Sequence, residues 1–303
     1  MKKQQTQYGK WLINQYGGST EHEAINNIVE KLITESNQKE LPIKLSKIAS
    51  LIGINPAPIY KKQGAWGELI KTDDEFRISL KISSGKPPSI YWYGYPRLRF
   101  SYAHELIHCL HYNFSAKPPQ RIAPKPSSYR EEEYICNYGA SLLILPHKLV
   151  QQYILSLNNK DLFFIASNVA LKANASLHAS LLCLMNNKEL IEGPINNKIY
   201  ILSAKNEGYK KRGENKPRCI ISAIYLNGFD VHDFLPANKG IESISNSWSL
   251  VKFYTNATRF NRYIVNNETI ELKGKRYVLN GEHRKIENSN YVWSDLQINL
   301  FPA

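Results

Sequence analysis

Residues Phe100 to Tyr112 read FSYAHELIHCLHY, and inside this stretch His104-Glu105-Leu106-Ile107-His108 sets two histidines four positions apart with a glutamate beside the first. On an α-helix, residues four apart share a face about 5.4 Å apart along the axis, so both rings can direct a nitrogen at one ion. Glu105 lies about 100° round the helix from His104, beside such an ion, where it can take a proton from an activated water. This is the chemistry of zinc hydrolases. The bland alternative is a pair of histidines satisfied in a core or paired on a surface. Ala103, Leu106, Ile107 and Leu110 form an apolar stripe, whereas His104, His108 and His111 recur on another face. The segment is therefore expected to be an amphipathic helix with its histidines in register.

A zinc hydrolase needs three protein ligands and an open position for water. The variant that takes its third ligand from the same stretch would need Gly at 111 and His at 114, where this chain has His111 and Phe114. His111 itself lies about 10 Å along a helix from His104, too far to share one ion comfortably. It is expected either to support a ligand or to lie at the surface. The better candidate is Glu133, with Asn137 four residues on and so on the same face. The Asn137 amide can accept a hydrogen bond from the free ring N–H of a ligand histidine and so fix its orientation. Glu131 and Glu132 read as a solvated first helical turn favoured by the helix dipole.

These residues must be held by the elements around them. Ser19 and Thr20 are good N-caps for a helix over Glu21–Ser36, with Ala24, Ile28, Val29, Leu32 and Ile33 at helical spacing. A shorter helix over Leu45–Ile52 is stopped by Gly53 and Asn55-Pro56-Ala57-Pro58. Residues 64–71 and 75–82 read as a β-hairpin about Thr72-Asp73-Asp74, and Ser89–Tyr93 as a further strand. Residues 113–130 hold four prolines and are expected to be a loop, either a lid or a mobile connection, that turns the chain back. A helix over Glu131–Leu145, ended by Pro146, would then face the histidine helix in antiparallel fashion across the ion. Further helices follow to residue 190, and beyond Gly193-Pro194 the segments turn β-branched and aromatic.

The expected architecture is α+β. Residues 1–18 read as a flexible polar tail, 19–194 as the HExxH domain, helical with a small sheet, and 195–303 as a β-rich C-terminal domain. With no run of 18 apolar residues, no membrane span is expected. The N-terminus has basic residues but no apolar stretch behind them, so a signal peptide is not expected. Cys109, Cys136, Cys183 and Cys219 are scattered without a CxxC pair, which suits free thiols in a reducing cytoplasm. The net charge of +13 invites a nucleic-acid partner, yet 16 basic and 10 acidic residues lie from Lys198 onward, leaving a similar excess before it. The charge is spread, not gathered on one arm.

Together these residues resemble the ImmA/IrrE family of metallopeptidases, cytoplasmic proteases of bacteria and mobile elements, over roughly residues 20–190. The family's LGI-type helix end is similar to Leu51-Ile52-Gly53-Ile54, its short β segment to the 64–82 hairpin, and its Arg-x-Phe lead-in to Arg99-Phe100. Its Asn-containing helix is similar to Asn137 with Leu142-Leu143-Ile144-Leu145-Pro146, and its later helical pair to DLFFIASNVALKANASLHASLLCL. Two positions depart. Ile107 stands where HELGH has Gly, and Cys136 precedes Asn137 where a small residue is common.

The resemblance implies a zincin-like domain with one Zn2+ at His104, His108 and Glu133 and with Glu105 as base. It also implies a regulatory protein as substrate, often a helix-turn-helix DNA-binding repressor whose cleavage releases transcription in a stress, mobile-element or phage-related response. Radiation-response members carry a GAF-like sensor after the protease, so residues 195–303 are expected to sense a ligand, with nucleic acid as one activating signal, or to bind a partner. The competing reading is a non-enzymatic zinc-containing regulator that binds nucleic acid or a partner through its basic surface. Tyr129 and His147 flank the ligand helix and are candidates for stabilising an oxyanion. Tyr91, Trp92, Tyr93 and Tyr95 are expected to pack in the core, with cleft lining or base stacking as alternatives.

Overall fold

Thr6 and Thr20 each accept a hydrogen bond from the amide three residues on, and so start α1 (Gln7–Tyr16) and α2 (Glu21–Glu35). The structure is a computed structural model that describes residues 5–71, 75–82, 95–116, 119–157, 161–187, 190, 198–206, 218–226, 262–272, 275–285 and 291–300. Helix α1 corrects the expectation of a loose tail over residues 1–18. Tyr8 and Leu12, one turn apart, are fully buried, and Gly17 ends the helix at a φ of 78° that other residues rarely adopt. The segment's many Gln, Asn and Lys residues hide this pair at helical spacing. Helix α2 buries the expected stripe together with Ile25.

Helix α3 (Leu45–Leu51) leads into β1 (Asn55–Lys61), a strand that the sequence reading took only as a helix stop. Two prolines are tolerated because β1 is an edge of the sheet ordered β1-β3-β2, where a missing N–H breaks no central ladder. Strand β2 (Gly67–Lys71) pairs antiparallel with β3 (Phe76–Lys81), and β1 pairs parallel with it. Ile78 and Leu80 of β3 are fully buried. The Thr72–Asp74 connection and the expected strand over Ser89–Tyr93, with Tyr91, Trp92 and Tyr93, lie outside the described residues. Tyr95 is exposed.

Helix α4 (Pro96–Cys109) begins with a proline, whose absent N–H costs nothing in a first turn. Its Tyr102 hydroxyl donates to the Pro56 carbonyl at 2.9 Å, and the buried Arg99 donates through Nη2 to the Ile43 carbonyl at 3.2 Å. These bonds tie α4 to β1 and to the approach of α3. The chain then runs through a two-stranded ribbon, β4 (Tyr112–Asn113) and β5 (Gln120–Arg121), with Tyr112 opposite Arg121. So the proline segment is partly structured, not a loop throughout. It returns the chain to α5 (Tyr129–Ile144), which packs against α4 and α2.

The α4–α5 crossing is tight at one point. A Cβ at Gly139 would lie 2.9 Å from both Cδ1 and Cγ1 of Ile107, closer than carbon atoms approach. Gly139 thus makes the space that Ile107 fills. Gly139→Ala is expected to destabilise the chain by about 1–3 kcal/mol through overpacking. Thermal unfolding of the variant should show this, and adding Ile107→Val should recover part of the loss. An unchanged melting temperature in the single variant would rule out the tight crossing.

Helices α6 (His147–Leu155), α7 (Leu162–Ala173) and α8 (Leu177–Asn186) follow. The chain divides into two compact units, Met1–Leu184 and Met185–Ala303. The second holds an antiparallel sheet of β6 (Lys198–Asn206), β7 (Arg218–Leu226), β8 (Arg262–Leu272), β9 (Lys275–Lys285) and β10 (Tyr291–Leu300), ordered β7-β6-β10-β9-β8. The fold is mixed α+β with small sheets. Among the described residues, no helix is long and apolar enough to cross a membrane.

Candidate metal centre

His104 and His108 stand one turn apart on the face of α4 turned towards α5, with their Nε2 atoms 3.0 Å from each other. Helix α5 brings in Glu133, whose Oε2 lies 3.4 Å from His104 Nε2 and whose Oε1 lies 3.2 Å from His108 Nε2. One turn further on, Asn137 Oδ1 lies 3.1 Å from His104 Nδ1. On the other side, Glu132 Oε1 lies 3.2 Å from His108 Nδ1.

These outer contacts decide the tautomers. An amide oxygen and a carboxylate only accept, so both Nδ1 atoms carry the proton and both Nε2 atoms present lone pairs. Two lone pairs and the Glu133 carboxylate then converge with no proton among them. Protonating a ring would relieve the conflict, but burial holds both histidines below their usual range, with His108 adding to the effect on His104 and His111 on His108. A metal cation relieves it directly. The edges of this triangle, 3.0 to 3.4 Å, match the roughly 3.3 Å edge of a tetrahedral shell with bonds of about 2.0–2.1 Å. The residues fit a metal ion.

A second grouping among the described residues, His108, His111 and Cys136, also places ligand atoms close enough to share an ion. It is the poorer site. His111 and Cys136 are shut off from solvent, and burial, followed by the Glu132 and Glu133 charges, pushes the Cys136 thiol far above its usual range.

Glu105 lies beside the triangle, against β2. A Cβ at Gly67 would meet its Oε1 at 2.7 Å and its Cγ at 2.9 Å, so the glycine gives the carboxyl its place. Burial first, then the Glu133 and Glu68 carboxylates, raise the Glu105 carboxyl to about 7, with Lys61 opposing them. A carboxyl tuned in this way can both take and return a proton near neutral pH.

The centre opens on a cleft of about 700 Å3 between β2 and the two helices. Trp66 and Arg97 stand at its wall, the guanidinium 3.5 Å from the centre of the indole ring. Tyr129 also lines the cleft, near enough to Glu133 for that carboxylate to raise its phenol above the usual range. His147 does not reach it. That histidine lines a separate hollow between α2 and α6, which removes it as a candidate for oxyanion stabilisation.

One sequence reading changes and another narrows. Glu132 is not part of a solvated turn. It takes both guanidinium nitrogens of Arg121, at 3.2 and 2.8 Å, and His111 and Arg121 together hold its carboxyl well below the usual range. Nor is His111 at the surface, being 1% exposed. The only sequence signal for either was the helical spacing of His111 from His104 and His108. Glu131 stands in the first turn of α5 and accepts from the Ser127 amide and hydroxyl and from the Thr6 hydroxyl. No protein-family model matches the chain, and no curated protein matches it.

Proposed function

We propose that the chain is a zinc-dependent endopeptidase that hydrolyses a peptide bond in a regulatory protein. One observation carries the reading: three lone-pair donors converge beside a carboxyl raised to about 7, in a cleft open to a peptide. Two imidazoles with one carboxylate, leaving a position open, form a donor set suited to catalytic zinc. His104, His108 and Glu133 would hold the ion, which when bound makes water more acidic and polarises a carbonyl. Glu105 takes the proton from the attacking water and passes it to the departing amide nitrogen. Asn137 keeps His104 in the tautomer with its Nε2 free. The wall of β2 and the Trp66–Arg97 pair offer an extended backbone and a flat cationic surface to the substrate chain.

The first unit is read as zincin-like and the second as a sensor or partner-binding domain. The resemblance to the ImmA/IrrE metallopeptidases supports this reading, and through it the substrate is a helix-turn-helix repressor cut inside the cell. Nucleic acid bound by the basic chain is one activating signal. Metal analysis of the full chain should find one zinc per molecule. Incubation with helix-turn-helix repressors from the same genome should give a discrete cut that a chelator stops and added zinc restores. A chain without zinc, or cleavage indifferent to the chelator, would overturn the proposal. Tight, salt-sensitive nucleic-acid binding without any cleavage would instead favour a non-enzymatic regulator.

A further inference from the structure

Behind the metal triangle, a file of polar groups runs away from the cleft and ends on α1. Glu132 Oε1 stands 3.2 Å from His108 Nδ1 and 3.1 Å from His111 Nδ1. The first contact is a hydrogen bond, whereas the second is at ion-pair distance but not aligned as one. On the far side of the same ring, the Tyr8 hydroxyl lies 2.9 Å from His111 Nε2. Arg121 grips both oxygens of Glu132 and prevents the carboxylate from turning. Tyr8 is fully buried and His111 nearly so. The His111 ring is slotted between aromatic neighbours, its centre 5.6 Å from that of Tyr8 and 6.0 Å from that of Trp11.

Every link in this file is built from side chains whose rotation is blocked by packing or by a second bond. Three of the residues belong to α4, its end and α5. The last, Tyr8, belongs to a helix that contributes nothing to the cleft. A displacement of α1 frees the Tyr8 hydroxyl and then the His111 ring that stands against Glu132, the carboxylate that holds the His108 N–H.

We infer that Glu132, His111 and Tyr8 form a relay by which docking of α1 sets the orientation of the His108 ring, so that the N-terminal helix controls how tightly this centre holds its metal. The inference rests on reading the centre as a metal site. Glu132, His111 and Tyr8 are positioning residues, acting on the ion only through His108. Coupling of this kind is reciprocal: if a docked α1 tightens the metal, then the metal tightens α1. A partner or protease that draws α1 away would loosen the ion without entering the cleft.

The test uses the full chain, stripped of metal and titrated with Zn2+ and with Co2+. Glu132→Gln is expected to weaken binding by about 10–100-fold, the usual effect of removing the group that orients a ligand histidine. Its Co2+ absorption bands should move as the His108 ring shifts. Tyr8→Phe, which removes one hydroxyl and is the safer variant for folding, should weaken binding by a smaller but measurable factor. Asn14→Ala is the control. It changes an exposed side chain of the same helix, outside the relay, and should leave the affinity and the spectrum as they were.

Amide hydrogen exchange gives the reciprocal readout. Metal should slow exchange across Gln7–Tyr16 in the native chain, and the effect should shrink in Tyr8→Phe. Equal metal affinity in Tyr8→Phe, Glu132→Gln and the native chain would overturn the relay and leave the metal site standing. So would an Asn14→Ala variant as impaired as Tyr8→Phe. A native chain that binds neither ion would overturn both the relay and the metal site.

Discussion

Glu105→Gln is expected to retain one zinc per chain and to lose peptide hydrolysis by a factor of about 100 to 10,000, the range ascribed to one general base. The amide has nearly the shape of the carboxyl and fits under Gly67 in the same way, so the cleft keeps its form. It cannot take a proton. It takes away no donor of the triangle, so zinc affinity should change little while turnover collapses. Single-turnover cleavage with metal analysis of the same sample separates the two effects. Cleavage at native rates by the zinc-loaded variant would remove Glu105 from the mechanism and leave only the ion to activate water.

The second large effect concerns Glu133. Glu133→Gln removes the only charged donor of the triangle and leaves two neutral rings, so zinc affinity should fall by a factor on the order of a thousand. The metal-free protein should behave in the opposite way. In the native chain the Glu133 charge raises the Glu105 carboxyl, an unfavourable interaction that the variant relieves. Metal-free Glu133→Gln is therefore expected to be at least as stable as metal-free native chain. Saturating zinc should stabilise the native chain by roughly 4 kcal/mol at a thousand times its dissociation constant, and the variant hardly at all. Paired thermal melts with and without zinc check both signs. A variant that melts lower without metal would make Glu133 a structural residue instead of a ligand.

What could be read in advance follows the range of the interactions. His104, Glu105 and His108 are related by the turn of one helix, a local rule that spacing expresses directly. Glu133 and Asn137 are related in the same way on a second helix, and only the meeting of the two helices is non-local. The proline segment turns the chain back for that meeting through the β4–β5 ribbon, whose strands are two residues each and too short for periodicity to show. Glu132 looks like its neighbour Glu131 because nothing in the triplet says which carboxylate the ribbon will cover. Arg121 and His111 decide that, from residues brought near only by folding. Helix α1 was hidden by its polar composition and β1 by its prolines. In each case the deciding contact is tertiary: Tyr8 against His111, and β1 as the edge beside β3.

The contact between Ile107 and Gly139 bears on how such a chain can change over generations. A side chain on the histidine helix fills the space left by a missing one on the glutamate helix, so the two positions share a single volume. Neither can grow or shrink alone without moving the helices that carry the donor atoms. Drift at this crossing should therefore proceed by exchange. A descendant with glycine at 107, the residue that HELGH has there, would be free to carry alanine or serine at 139. One that keeps isoleucine would be bound to glycine opposite.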